Sequence, residues 1–243
     1  MIDLHAHVLP GLDDGPDTLE GALELLRQAY EDGVRVIVAS PHAGDGRYET
    51  HPSEIRGALD AVKARLEEDS LALTVLPGME LYLEGDVLKN REDDELLTVG
   101  GLGRYLCFEL PTTSLPFFIE EILFRVNLRG YLPMIVHPER NVEIQRDPSV
   151  FRSLARHDAV AVISAGGIMG AYGRRAKKAA TELLRMGLVR GICSDAHSAR
   201  HRPAVLSEAL RAVEAVVGST EAARLAWDYP AEILKPLELS RGP

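Results

Sequence analysis

The sequence predicts an α/β protein in which parallel strands alternate with helices and close into a barrel. Apolar runs of strand length alternate with amphipathic helical patterns along the 243 residues. Histidine and acidic side chains stand at the ends of six of the seven apolar runs. Six strand ends can meet at one point if the strands form a ring, whereas an open parallel sheet gathers ligands at its switch point.

Seven apolar runs are the strand candidates, and several are rich in valine and isoleucine, as in parallel strands buried on both faces. They are residues 2–8, 34–40, 71–77, 104–110, 131–137, 159–165 and 188–194. The first helical pattern begins near Asp17, with Glu20 three residues later, and ends at Gly33. Further helices are expected after Pro52, Pro116 and Asp147, over residues 174–186, and in the C-terminal part of the chain.

The composition is that of an ordinary globular protein, with 46% hydrophobic residues, 26% charged residues and a mean hydropathy of −0.05. No linker rich in proline, glycine or serine divides the sequence, so residues 1–243 are expected to form a single domain. The net charge of −10 argues against nucleic-acid binding. No apolar run has the roughly 20 residues needed to cross a bilayer, and the two cysteines make no disulfide framework. A cytoplasmic protein without membrane insertion is therefore expected.

Side chains that can bind metals lie at or just past the predicted strand ends. His5 and His7 are alternate residues of one strand, so they project to the same face. The whole set is His5, His7, His42, Glu80, Glu109, His137, Asp195 and His197. Imidazoles and carboxylates crowded together in a protein interior would repel or remain unpaired unless cations paired them. The sequence therefore predicts a metal site at the C-terminal ends of the strands.

Six sequence blocks carry a resemblance to a known superfamily. They are MIDLHAHVLPGLDDGP, VASPHAGDGRYE, LPGME, FELP, VHPERN and CSDAHSARHRP, in order from residue 1 to about 203. The chain resembles the PHP (polymerase and histidinol phosphatase) superfamily, and more closely its branch of manganese-dependent bacterial protein-tyrosine phosphatases. This resemblance implies a distorted, TIM-like (β/α)7 barrel. It also implies hydrolysis of phosphotyrosine in a partner protein, the tyrosine-rich tail of a bacterial autokinase that controls capsule or exopolysaccharide synthesis.

The resemblance also implies three divalent metal ions, expected to be Mn²⁺, with Fe²⁺ or Zn²⁺ as alternatives that suit oxygen and imidazole ligands. One ion would be held by His5, His7, Glu80 and Asp195, a second by Glu80 as a bridge with Glu109 and His137, and a third by Asp14, His42 and His197. Asp13 stays open as an alternative to Asp14. Three divalent ions and four carboxylates leave a charge of about +2, which suits a phosphate monoester dianion. A hydroxide activated by the metals would attack phosphorus.

The resemblance further implies that two arginines near the predicted ligands bind the phosphate, although a surface arginine is more often part of a salt bridge. Arg140 follows His137 by three residues, Arg202 follows His197 by five, and a guanidinium fork matches the terminal oxygens of a monoester. A basic run also follows the sixth strand: Arg174, Arg175, Lys177 and Lys178. This run either contacts an acidic peptide or forms the solvated face of a helix.

Two other functions stay open on the sequence: a small-molecule phosphomonoesterase, such as a histidinol-phosphate phosphatase, and a non-catalytic metal-binding PHP module. A thiolate nucleophile in a C-x₅-R loop is not indicated. Six residues separate Cys193 from Arg200, which is one too many, and no arginine follows Cys107 within range. The sequence leaves the oligomeric state open.

Overall fold

A computed structural model describes residues 1–44, 46–84, 87–88 and 91–235. The strands are β1 (Ile2–Ala6), β2 (Val36–Ala39), β3 (His42–Ala43), β4 (Thr74–Pro77), β5 (Glu80–Tyr82), β6 (Tyr105–Glu109), β7 (Leu132–Val136), β8 (Val160–Ser164) and β9 (Val189–Cys193). They form two parallel sheets, with strand orders β1-β2-β4 and β3-β5-β6-β7-β8-β9.

The α-helices lie mainly between the strands and after the last one. They are α1 (Leu19–Glu31), α2 (Pro52–Glu68), α3 (Ile119–Leu128), α4 (Val142–Arg146), α5 (Phe151–Ala155), α6 (Ala165–Met169), α7 (Gly173–Arg185), α8 (Ser207–Val217), α9 (Ser219–Ala223) and α10 (Tyr229–Ile233). Short 3₁₀ turns occur at Asp93–Glu95, Val99–Gly101, Pro138–Arg140 and Pro148–Val150, and a π-helical turn at Arg224–Asp228. The α/β alternation that the sequence predicts is confirmed. No helix of the described ranges is long and apolar enough to span a membrane.

All seven predicted strands are present, but the sequence did not predict β3 and β5. These short strands continue β2 and β4 after interruptions at Pro41 and Gly78. Pro41 has no N–H to donate to a neighbouring strand, so the ladder stops there. At Gly78 a Cβ would lie 2.9 Å from Cγ1 of Val38, so the close approach of these strands requires glycine. Strands of two and three residues are too short for a hydrophobic period to reveal.

The strand pairing does not show the closed barrel that the sequence predicted, because the strands divide into two sheets. Within the described residues, β1 and β9 do not pair as strands, but their carboxyl ends are joined by other hydrogen bonds. Asp195 donates its backbone N–H to the carbonyl of His5 at 3.2 Å, and His7 donates to Ala196 at 2.8 Å. Oδ1 of Asp3 accepts from the backbone of Ser194 at 3.1 Å. These contacts bring together the strand ends that carry the candidate ligands.

The differences from the sequence prediction include one helix start and one short helix. Helix α1 is capped by Thr18, not Asp17, because the Thr18 hydroxyl accepts the N–H of Gly21. Helix α4 was not predicted, since five residues are too few to show a helical period. Its cap is Asn141, whose side-chain oxygen accepts two backbone N–H groups of the first turn.

The strands are buried on both faces, as their composition indicates. Leu4, Val38, Val136 and Cys193 belong to one apolar cluster, and Ile37, Ile135, Ile163 and Ile192 belong to a larger cluster that includes helix residues. Cys107 also lies in the first cluster. Burial raises the pKa of both cysteine thiols, which agrees with packing residues and not with a thiolate nucleophile.

Candidate metal centre

The predicted ligands lie at the carboxyl ends of the strands, and the backbone there is unusual at two of them. His137 follows β7 with a φ of 35°, and Asp195 follows β9 with a φ of 53°. Both values fall in the left-handed region, which costs energy for residues other than glycine and is typical of functional sites. The fold therefore holds these two side chains in positions that ordinary strand or helix geometry would not give.

Glu80 lies at the centre of the cluster. Its carboxylate oxygens are 3.0 Å from His137 Nε2, 3.5 Å from His5 Nε2, 3.4 Å from His7 Nε2 and 3.0 Å from His42 Nδ1. The side chain is fully buried. Burial raises the pKa of this carboxyl, but the surrounding imidazoles outweigh burial and hold the pKa well below its usual range.

Asp195 occupies a second position shared by several groups. Its Oδ1 is 3.6 Å from His5 Nε2 and 3.8 Å from His7 Nε2. Its Oδ2 accepts from Nη2 of Arg202 at 2.5 Å and from the hydroxyl of Tyr172 at 3.2 Å. Asp195 thus faces the imidazoles with one oxygen and the arginine side of the site with the other.

The two neighbouring aspartates have different surroundings. Asp14 Oδ1 lies 3.3 Å from His197 Nε2 and 3.6 Å from His42 Nε2. Asp13 Oδ2 instead lies 2.5 Å from His7 Nδ1 and accepts the backbone N–H of His42 at 3.0 Å. Asp13 therefore fixes the ring of His7 from behind, leaving Nε2 directed at Glu80.

Four overlapping groups of side chains place their nitrogen or oxygen atoms within 4.8 Å of one another, as a metal ion requires. They are His7 with Asp14, His42 and His197; His5 with His7 and Glu80; His5 with His137 and Asp195; and His42 with Glu80 and Glu109. These groups contain all nine predicted metal ligands. These groups differ from the three metal sites that the resemblance implies. His137 is grouped with His5 and Asp195 and not with Glu109, and His42 is grouped with Glu80 and Glu109 as well as with Asp14 and His197.

The donor cluster fits divalent cations. Oδ1 of Asp195 is buried and has no hydrogen-bond partner among the described residues, and Oε2 of Glu80 and Nδ1 of His42, although 3.0 Å apart, are buried without a well-directed hydrogen bond. Such atoms are costly to bury unless something pairs them. Burial lowers the pKa of His5 to about 4, which leaves a neutral imidazole. Burial also lowers the pKa of His7, but the carboxylates of Asp13 and Glu80 outweigh it and raise the pKa to about 10, so in the metal-free protein a proton takes the place that a cation would fill.

A pocket of about 370 Å³ opens over this cluster, and both predicted arginines line it. Nη1 of Arg140 is 3.6 Å from Glu109 and 3.7 Å from Asp195. The guanidinium of Arg202 contacts the same aspartate. The pocket therefore has acidic and imidazole groups at its base and two guanidinium groups beside them.

The sequence analysis missed three side chains of the pocket wall. Arg47, Tyr48 and Tyr82 line the pocket, and the ring of Tyr48 stacks on the imidazole of His42 with centroids 5.8 Å apart and planes 9° apart. The signal for the first two lay in the block VASPHAGDGRYE, which carries them five and six residues after His42. Tyr82 closes β5 two residues after Glu80, which places both on one face of the strand.

Tyr172 was also missed, and it lies directly behind the arginines. Its ring centroid is 5.1 Å from Cζ of Arg140, and its hydroxyl donates to Asp195. Burial and the charge of Asp195 raise the pKa of this phenol to about 12, so it remains a hydrogen-bond donor. Arg174, Arg175, Lys177 and Lys178 are exposed on α7 and are not among the described residues that line the pocket.

Glu139 holds the turn that carries His137 and Arg140. Its fully buried carboxylate accepts the backbone N–H of Ser164 at 2.9 Å and the hydroxyl at 2.6 Å. A Cβ on Gly167 would lie 2.2 Å from Oε1 of Glu139, so glycine at this position makes room for the carboxylate. The carboxyl end of β8 thereby anchors the turn that follows β7.

Comparison with known proteins identifies the family. The profile for Capsular polysaccharide synthesis, CpsB/CapC, matches residues 1–235. The chain belongs to the CpsB/CapC family. Among relatives of this family member, tyrosine-protein phosphatase YwqE of Bacillus subtilis is 35% identical over 90% of this chain and 86% of its own. Tyrosine-protein phosphatase CpsB of Streptococcus agalactiae serotype III is 29% identical over 97% of this chain and 98% of its own.

Solved structures agree with this placement. A chain from the crystal structures of YwqE from Bacillus subtilis and CpsB from Streptococcus pneumoniae, described as unique metal-dependent tyrosine phosphatases, superposes with a TM-score of 0.90 at 33% identity. The match covers 100% of this chain and 98% of the other. An organophosphorus hydrolase mutant from Deinococcus radiodurans matches with a TM-score of 0.57 at 16% identity over 94% of this chain and 91% of its own. That likeness concerns the fold alone.

Proposed function

We propose that this CpsB/CapC family member is a metal-dependent protein-tyrosine phosphatase that hydrolyses phosphotyrosine in a protein partner. The observation that carries the proposal is the position of Glu80 among four imidazoles at the base of a pocket with two arginines. The relatives named as tyrosine-protein phosphatases, at 29% to 35% identity over most of the chain, support the same activity.

We propose that divalent ions, three in number and Mn²⁺ in identity, occupy the donor cluster. The residues that would hold them are His5, His7, Asp14, His42, Glu80, Glu109, His137, Asp195 and His197. Bound divalent ions would supply the acidity that activates water and the charge that stabilises the phosphoryl oxygens. The assignment of Asp14 is supported by its proximity to His42 and His197, and by the hydrogen bonds that already engage Asp13.

The protein's own side chains bind and orient the substrate in this proposal. Arg140 and Arg202 bind the terminal oxygens of the phosphate through charge-assisted hydrogen bonds. Tyr172 and Asp195 hold the two guanidinium groups from behind. Tyr48, which already stacks on His42, offers an aromatic wall to the ring of the substrate.

The remaining parts of the proposal concern the fold, the partner and the place of action. The two sheets form parts of one distorted (β/α)7 barrel in a single domain, and the hydrogen bonds between the ends of β1 and β9 support this closure. The partner is the tyrosine-rich tail of a bacterial autokinase, and the protein acts in the cytoplasm. The family's role in capsular polysaccharide synthesis supports that choice of partner.

The test compares turnover of a phosphotyrosine peptide with turnover of histidinol phosphate by the metal-stripped protein, with and without added Mn²⁺. We expect Mn²⁺-dependent release of phosphate from the peptide at a much higher kcat/KM. A preference for histidinol phosphate would replace the proposal with a small-molecule phosphatase. No turnover of either substrate by protein that binds Mn²⁺ would indicate a non-catalytic metal-binding module.

A further inference from the structure

A second cavity, of about 500 Å³, adjoins the pocket over the donor cluster. It lies between α6 and the segment that leads into α8, on the side of the molecule where β8 and β9 end. Its lining includes Met169, Val205 and Ala209. Arg202 lines both this cavity, which we call the side cleft, and the metal-centre pocket.

The lining of the side cleft is suited to an apolar group. Met169 at its edge is 45% exposed, so its side chain is accessible to a ligand. Two polar groups of the wall are already engaged, since the Tyr172 hydroxyl donates to Asp195 and Oγ of Ser194 accepts a backbone N–H. His201 and Glu208 also line the cleft and are exposed to solvent. A ligand that enters the cleft therefore gains mainly by removing apolar surface from water.

The two compartments meet at one side chain. Arg202 separates them, and its Nε is buried without a hydrogen-bond partner among the residues that the structure describes. The same side chain contacts Asp195 at the base of the metal-centre pocket and lines the cleft. Because the wall is one side chain thick, the residue next to a phosphotyrosine in the pocket can place its side chain in the cleft.

We propose that the side cleft is a specificity subsite that binds an apolar side chain, of leucine or phenylalanine size, on the residue adjacent to the phosphotyrosine of the substrate. This inference rests on the proposed function and specifies its substrate class. The enzyme would then select phosphotyrosine by the metal-centre pocket and the surrounding sequence by the side cleft. Arg202, which lines both compartments, is the reason to assign both to one peptide.

The test uses three phosphotyrosine peptides that differ in one residue: glycine on both sides, leucine before the phosphotyrosine, or leucine after it. Free 4-nitrophenyl phosphate, which has no neighbouring residue, reports on the metal-centre pocket alone. We expect one of the leucine peptides to exceed the glycine peptide about tenfold in kcat/KM, the size of effect that an apolar side chain gains in a fitted pocket.

Two substitutions alter the side cleft without touching the proposed ligands or arginines. Met169→Glu places a charge at its edge, and Val205→Trp fills it. Both should remove the preference for leucine while leaving turnover of 4-nitrophenyl phosphate unchanged. Leu128→Glu is the matched control, because Leu128 is also a helical hydrophobic residue, 71% exposed, and does not line the cleft.

The outcomes separate this proposal from the proposed function. Equal kcat/KM values for all three peptides would overturn the subsite while leaving the phosphatase activity intact. A leucine preference that persists in both cleft variants would also overturn it. If the wild-type protein loaded with Mn²⁺ hydrolyses neither the peptides nor 4-nitrophenyl phosphate, the proposed function itself fails.

Discussion

At the residue scale, Glu80 is the side chain on which the donor cluster depends most. It contacts four imidazoles, whereas His42 contacts fewer of the proposed ligands and is partly exposed. Glu80→Ala should therefore lower the number of Mn²⁺ ions bound per chain more than His42→Ala does. Elemental analysis of both variants after loading and desalting measures this difference. Equal retention of metal would mean that Glu80 does not bridge two ions.

Arg140 offers a prediction that separates phosphate binding from metal binding. A guanidinium has no free lone pair for a cation, so Arg140→Ala should keep its full metal content. Loss of a charge-assisted hydrogen bond costs about 1.5–3 kcal/mol, which corresponds to roughly a 10- to 150-fold fall in kcat/KM for a phosphotyrosine peptide. Steady-state kinetics on folded, metal-loaded protein provide the measurement. Depleted metal in Arg140→Ala would assign the residue a structural role instead.

The buried carboxyl of Asp3 should make the stability of the folded protein depend on pH. Burial raises the pKa of this carboxyl from 3.8 to about 7, and its Oδ2 has no hydrogen-bond partner among the described atoms. The folded protein therefore binds a proton that the unfolded chain has released, and this stabilising contribution, complete below about pH 4, is lost as the pH rises through 7. Each pKa unit corresponds to about 1.4 kcal/mol, so the loss by pH 8 is on the order of a few kcal/mol.

Urea unfolding of the metal-free protein at pH 5 and pH 8 measures this dependence. Asp3→Asn keeps an oxygen that can accept from Ser194 and does not titrate, so the variant should lose less stability than the wild type between these pH values. The same loss in both proteins would show that other groups cause the dependence.

At the element scale, the turn at Pro138–Arg140 depends on the glycine of a neighbouring helix. Gly167→Ala in α6 would push a methyl group against the buried Glu139 carboxylate, whose nearest atom would be 2.2 Å away. We expect a loss of about 1–3 kcal/mol in the free energy of unfolding, as for other overpacked sites. The turn should also loosen, with a fall in kcat, because Glu139 anchors the residues on either side of it.

Gly57→Ala in α2 is the matched control for this prediction. Gly57 is exposed within the helix, and a Cβ there would meet nothing within 4 Å. The substitution should therefore raise stability by up to about 1 kcal/mol through helix propensity. Urea unfolding of both variants tests this prediction, because alanine is expected to lower the free energy of unfolding at position 167 and to raise it at position 57. A stable Gly167→Ala protein would mean that Glu139 can move without cost.

At the scale of the whole molecule, the sequence predicted the alternation of strands and helices because buried parallel strands and amphipathic helices leave clear periodic patterns. It predicted the donor cluster because polar residues at strand ends interrupt those patterns, as His5 and His7 do. It missed β3 and β5, whose pairing depends on breaks at Pro41 and Gly78. Tyr172 was missed because its contact with Asp195 joins residues 23 apart on different elements. Such contacts depend on tertiary approach and leave no local pattern.

The buried metal-binding side chains lead to a prediction for the thermal stability of the whole protein. An ion that binds the donor cluster of the folded state and not the unfolded chain stabilises the protein by mass action. At 100 times the dissociation constant this stabilisation is about 2.7 kcal/mol. Mn²⁺ should therefore raise the melting temperature of the stripped protein, and a chelator should reverse the rise and abolish phosphatase turnover together.

The two thiols should contribute nothing to this activity. Cys107 and Cys193 are buried, burial raises their pKa values, and a protonated thiol is a poor nucleophile. Cys107→Ala and Cys193→Ala should keep both the Mn²⁺-dependent rise in melting temperature and the turnover of phosphotyrosine. Thermal unfolding and phosphate release, measured on the same preparations, test both statements. Lost turnover in Cys193→Ala with normal metal content and normal melting would assign the chemistry to the thiol, because the metal sites and the fold would then be intact.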